Sequence, residues 1–208
     1  MMGFGTTLAE ARTLVSYVAL TGVVYPLASV MPELPEERVR LLKATLPTLP
    51  ILPVDLYSRG TDMRWDRFKH TQPDYYVHNY PEILNLKVNA KPGIYDVVGV
   101  TNWRGEPAAR EISFVDQLGL RAGTSYVVFD FWGQKPLGVF RDKMKVEVEP
   151  HDTRVLLIHP LSDKPQLIGI SRHISGSYSV LNLVWDEDRK SLRGSVQPVP
   201  CEEYALWI

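Results

Sequence analysis

A single cysteine, Cys201, leaves this chain of 208 residues no internal disulfide, so a reducing compartment, the cytoplasm, is expected. Charge of one sign is lacking too: 23 Lys and Arg stand against 24 Asp and Glu, well mixed, for a net charge of −1. That balance offers neither a basic stripe for nucleic acid nor an acidic tail. Uncharged runs are scarce, and only TLVSYVALTGVVYPLASVMP at 13–32 raises the question of a membrane. Gly22 and Pro26 interrupt it, and Glu10 and Arg12 before it mark a helix start, not a basic leader. A buried helix is expected there, rather than a signal peptide or a span. Internal repeats and low-complexity tracts are absent.

Signatures of catalysis are equally sparse. No Gly-x-Ser-x-Gly elbow occurs, and GFG at 3–5 lacks the further glycines and the preceding strand of a phosphate loop. Cys201 sits among Pro200, Glu202 and Glu203, a setting that raises a thiol's pKa instead of activating it. The stretch EVEPHDTRVLLIHPLSD holds His151 and His159 eight residues apart on what reads as a strand, about 26 Å if extended. Metal ligands converge to about 2 Å from one ion. These histidines therefore read as polar residues at strand ends, and neither metal nor cofactor is expected. His173, in SRHISGS, reads as a corner residue that hydrogen-bonds neighbouring backbone. Asp62 and Asp66 in TDMRWDRF resemble an acid/base pair, but Arg64 and Arg67 beside them favour surface ion pairs. Trp103, Trp132 and Trp185 are candidates for stacking on sugars. FDFW and LVW, however, alternate as core strands do, so burial is expected for Trp132 and Trp185. Trp65, Tyr75 and Tyr76 lie in an irregular stretch and are the aromatics expected at the surface.

A chain of this size buries about 70% of its unfolded surface. Thr7-Leu8-Ala9-Glu10 fits a capping box, and Leu8, Ala11, Leu14, Val15, Val18 and Ala19 follow at helical spacing to a stop at Gly22. Tyr17 and Leu20 lie off that stripe, so the helix is apolar nearly all round and should be buried on several sides. A second helix is expected from 35 to about 46, with Pro35, Glu36 and Glu37 in its first turn. TLPTLPILP cannot continue it. From 81 onward the period changes to two. A hairpin is expected from 83–89 and 95–102 around Ala90-Lys91-Pro92-Gly93. Further strands are expected at 125–131, 137–140, 144–149, 153–159, 167–171, 177–185, 192–198 and 203–207. The expectation is thus a mainly β chain. A helical segment at 1–53 and an irregular connection at 54–80 precede an antiparallel Greek-key β-sandwich at 81–208.

Particular runs carry a family resemblance. SYVVFDFWGQKPLG, MKVEVEPHDTRVLLIHP, KPQLIGISRHISG and LVWDEDRKSLRG follow one another in an order that resembles the C-terminal β-sandwich of α-galactosidase-like (melibiase-type) glycoside hydrolases. VVGVTNWRGEPA resembles the first strands of that sandwich. EARTLVSYVALTGVVYPLASVMPELPEERVRLLKATLP resembles the last barrel helix and the segment leading out of it. The run 129–176 is the most specific part. In that family the catalytic aspartates belong to a preceding (β/α)₈ barrel of about 250 residues, so no catalytic residue carries over to any position here. Ser29 is followed by Val30 where the resemblance implies an aspartate, and the last sandwich strand is expected to be short.

The resemblance implies a non-catalytic accessory or structural β-sandwich, not an enzyme on its own. Two alternatives stand beside it: a carbohydrate-binding module using Trp65, Tyr75 and Tyr76, and the non-catalytic subunit of a split glycosidase with a barrel-bearing partner chain. A helix like 7–21 without barrel neighbours also leads to an expected homodimer through residues 1–50.

Overall fold

The computed structural model describes residues 5–24, 30–51 and 81–208. Helix α1 spans Leu8–Thr21 and begins on the expected capping box: Thr7 Oγ1 accepts from the Glu10 amide at 3.2 Å, and Glu10 Oε2 accepts from the Thr7 amide at 2.7 Å. It ends at Gly22, whose φ of 68° is left-handed. A Cβ at Gly22 would also lie 2.7 Å from the Ile51 carbonyl oxygen, so only glycine fits there. Helix α2, Glu36–Thr45, follows Pro35, and the Arg172 guanidinium donates to the carbonyls of Lys43 and Leu46 at its C-terminal end. Ala11 and Val15 of α1 pack on Leu41 and Leu42 of α2. Val18, Ala19 and Leu20 are buried as well, so α1 is covered on several sides. No helix among the described residues is long and apolar enough to cross a membrane.

Seven strands form one antiparallel sheet: β1 (Ile83–Ala90), β2 (Gly93–Thr101), β3 (Ala108–Ser113), β4 (Ser125–Asp130), β5 (Lys135–Arg141), β6 (Lys143–Val148) and β7 (Thr153–Pro160). Their spatial order is β1-β2-β7-β4-β5-β6-β3. Three consecutive strands, β4 to β6, with β3 returning beside β6 make the Greek key. Only Arg141 and Lys143 pair between β5 and β6, across a corner at Asp142, whose φ is 65°. Past this corner the β3–β6 ribbon folds over the sheet, and Ile112, Met144, Val146 and Val148 meet Val98, Val100, Val128, Leu156 and Ile158. The opposite face carries Val97, Phe129, Val155 and Leu157, covered by Ala19 and Leu20 of α1 and by Ile168 and Ile174. Both faces of the central strands are buried, which explains the near-continuous apolar run VLLI in β7.

A two-stranded ribbon of β9 (Val180–Asp186) and β10 (Ser191–Val196) follows, and β11 (Leu206–Trp207) pairs with β8 (Gly169–Ile170). β8 is shorter than the strand expected at 167–171: Leu167 and Ile168 are buried irregular chain, Ile168 against the sheet and Leu167 against Val180 and Leu183. A Cβ on Gly169 would meet the Phe129 ring at 2.6 Å. β3 has no counterpart among the expected strands: of its six residues only Ile112 is fully buried. Trp132 packs on the core as expected. Trp185 departs from expectation: it is half-buried, joins none of the core clusters, and its indole donates to Glu187. Val180 and Leu183 of the β9–β10 ribbon pack on Leu167 and Ile170, but Trp185 lies outside that cluster, so the alternation of LVW does not imply its burial.

Candidate functional site

Trp65, Tyr75 and Tyr76, the expected sugar-stacking aromatics, lie outside the described residues, as do Asp62 and Asp66. The three histidines occupy separate places. His151 is in the turn before β7 with φ 55°, exposed. His159, near the end of β7, is buried with its ring stacked on Tyr95 at 4.2 Å. His173 is fully buried; its Nε2 donates to the Pro47 carbonyl at 3.0 Å, and its Nδ1 pairs with the Ser175 hydroxyl at 2.9 Å. The carbonyl partner fixes the Nε2–H tautomer, and the contact is the backbone-holding role read from SRHISGS. Burial drives both buried imidazoles down to about 4 and the Tyr95 hydroxyl up to about 12. Among the described residues no three His, Cys, Asp or Glu side chains gather to hold a metal.

What the fold does assemble is a polar joint between α1 and the start of β7. Arg12 grips Asp152 through two bonds, Nε to Oδ1 at 2.8 Å and Nη2 to Oδ2 at 2.7 Å. Asp152 Oδ1 also accepts from the Thr153 amide at 2.7 Å. Thr13 donates to the His151 carbonyl, Thr153 donates to Thr13, and Thr101 pairs with Thr153 at 2.9 Å. Further along the helix, the Trp132 indole donates to Ser16 at 2.8 Å. Each buried polar group here has a partner, so the joint holds the helix in one register on the sheet.

Beside this joint lies a cavity of about 390 Å³ lined by Glu10, Thr13, Leu14, Tyr17, Trp103 and His151. The helical residues follow at i, i+3, i+4 and i+7, one face of α1. Trp103 arrives from the loop after β2, where the Asn102 side chain donates to Glu106, Val148 and Glu149 carbonyls. The His151 amide donates to Arg104, tying that loop to the turn before β7. The Tyr17 and Trp103 rings meet edge to face at 5.7 Å, and the indole N–H reaches the Pro81 carbonyl at 3.3 Å. Hydrogen bonds from the Thr7 amide and hydroxyl hold the Glu10 carboxyl below the usual carboxylate range, and His151 adds attraction. A larger hollow of about 590 Å³ between α2 and 202–204 is lined by charges already paired, Glu36 with Arg40 and Lys43 with Glu202. Trp103 was legible as a candidate for stacking. Glu10, Tyr17 and His151 were not, since only tertiary packing brings them to it.

Fold and joint together define an antiparallel Greek-key β-sandwich docked to a helical segment. Residues 89–158 match the family model described as the alpha galactosidase C-terminal beta sandwich domain. Among solved structures the chain is similar to α-galactosidase I from Mortierella vinacea at 16% identity and a TM-score of 0.54, covering 76% of this chain and 38% of that one. It is similar to the α-galactosidase from Saccharomyces cerevisiae with raffinose at 11% identity and a TM-score of 0.52, covering 77% and 45% respectively. A β-L-arabinopyranosidase from Geobacillus stearothermophilus shares 16% identity at a TM-score of 0.51, covering 78% of this chain and 34% of that one. The chain thus spans less than half the length of each of these proteins. Comparison with curated proteins finds no match. The sandwich resembles the C-terminal β-sandwich of α-galactosidases, as the sequence motifs imply, and at these identities the structural likeness speaks for the fold.

Proposed function

We propose that this chain is a non-catalytic accessory β-sandwich of carbohydrate metabolism, related to the C-terminal part of a glycoside hydrolase. The joint carries the reading. α1, whose sequence resembles a last barrel helix, is fixed to the matched sandwich by Arg12–Asp152 and the Thr13–Thr153–Thr101 relay. A helix held this firmly acts as a scaffold for further protein, and the cytoplasm suits its lone cysteine. The purified chain is expected to release no nitrophenol from nitrophenyl α- or β-galactosides or glucosides. Steady turnover abolished by Asp62→Asn or Asp66→Asn would overturn the reading. A homodimer through residues 1–50 belongs to the same proposal, supported by the exposed Val24, Val30 and Met31. Light scattering across size-exclusion peaks is expected to give twice the chain mass; a stable monomer at micromolar concentration removes the dimer.

A further inference from the structure

We propose that β1 is a dimer seam: this edge of the seven-stranded sheet pairs antiparallel with β1 of a second copy, about a two-fold axis at Leu86. The inference rests on the homodimer reading above and adds the sheet edge to that interface. β1 stands at one end of the sheet. Its register with β2, and the bond from the Thr101 amide to the Glu82 carbonyl, turn the backbone groups of even-numbered residues toward β2. Those of Ile83, Asn85, Lys87 and Asn89 point outward and bond no described residue. Edges are normally guarded by shortness, proline, bulges or open charge. β3, the opposite edge, is six residues long, carries Arg110 and Glu111, and folds over the sheet. β1 has none of these guards. It runs eight residues without proline or register shift. Its one charge, Lys87, is drawn back onto Asp96 at 2.5 Å and the Leu118 carbonyl at 2.7 Å.

The strand is also complementary to itself. Outward groups pair odd residue with odd residue, which allows an axis at Asn85, Leu86 or Lys87. An axis at Lys87 sets that lysine against its own copy, and one at Asn85 leaves Val88 and Asn89 beyond the partner strand. The axis at Leu86 sets Asn85 against Lys87 and Ile83 against Asn89, with Leu86 facing Leu86 and Leu84 facing Val88. Leu84, Leu86 and Val88 are only partly buried by their own chain, and a copy placed this way covers their open sides. Ala19 and Leu20 of α1 lie over the same face, so the helical segments of both copies flank the seam.

The test combines light scattering with disulfide trapping in a Cys201→Ser background. Facing Leu86 residues form a non-hydrogen-bonded pair with Cα atoms about 4.5 Å apart, a separation a disulfide spans. Under copper-phenanthroline, Leu86→Cys is expected to form covalent dimer about tenfold faster than Val139→Cys, exposed on β5. Charge at position 85 gives the sign. Asn85→Lys sets a lysine against Lys87 on both sides of the axis and is expected to raise the dimer Kd about tenfold. Asn85→Glu sets a carboxylate there and is expected to leave the Kd equal or lower. The fold alone ranks the two the other way: the Asn85 amide donates to the Leu118 carbonyl, a bond lysine can keep and glutamate cannot. A wild-type monomer at micromolar concentration removes the dimer reading and the seam with it. A wild-type dimer in which Leu86→Cys cross-links no faster than Val139→Cys overturns the seam and leaves the dimer. So does a dimer that Asn85→Glu weakens as much as Asn85→Lys. Should Leu86→Cys not fold, the two Asn85 variants decide.

Discussion

His159 shows how one buried side chain sets the acid limit of this protein. Its ring stacks on Tyr95, and its Nε2 has no hydrogen-bond partner among the described residues. Burial lowers its folded pKa to about 4, against about 6.5 in an unfolded chain. Between those values the unfolded state binds a proton that the folded state refuses. The contribution to stability is therefore complete above pH 6.5 and is lost as pH falls toward 4, at about 1.4 kcal/mol per pH unit for each such histidine. His173, lowered to about 4 by the same cause, loses stability over the same window. His159→Phe keeps a ring against Tyr95 and removes the unpaired Nε2, but gives up the bond to the Ile168 backbone. Urea midpoints are expected to be somewhat lower at pH 7, and to fall about half as steeply as wild type between pH 6 and 4. An unchanged slope would place the acid sensitivity elsewhere. His173 tolerates no such exchange, because Ser175 and the Pro47 carbonyl would be left unpaired.

At the scale of elements, α1 depends on its joint more than on its propensity. Asp152→Ala strips two bonds from Arg12 and one from the Thr153 amide. A loss of about 2–3 kcal/mol in urea unfolding is expected, at the lower end for a buried pair because Arg12 keeps 28% of its side-chain exposure. Amide exchange should rise first in α1; uniform loss of protection would mean the joint is not local to the helix. The ends of this helix were legible in the sequence because Thr7, Glu10 and Gly22 act within a few residues of themselves. The β1–β2 hairpin was legible for the same reason: Ala90 and Gly93 pair across Lys91-Pro92. β3 was not legible, since Arg110, on the same face as the buried Ile112, is half-buried in an ion pair with Glu82 and breaks the apolar alternation, and its partner, β6, lies a corner and two strands later. The candidate site was legible only at Trp103. Glu10 was already accounted for as a helix cap, and no local spacing predicts that Tyr17 meets an indole 86 residues away.

For the whole molecule, the strand order governs the timing of assembly. β7 lies between β2 and β4, so both make their inner hydrogen bonds with the segment synthesised last among the seven strands. Until residue 160 is available, β2 and β4 present open edges and two apolar faces each. The Thr101–Thr153 pairing, across 52 residues, makes that closure distant in sequence, and such topologies fold in about milliseconds to seconds. A chain ending at residue 150 is expected to show no cooperative thermal transition by circular dichroism and to aggregate; a sharp transition would mean that the outer strands form a domain without β7. On the ribosome, then, this protein spends the interval between its hundredth and its hundred-and-sixtieth residue as a sheet with its centre missing, and that interval is when chaperone binding should be concentrated.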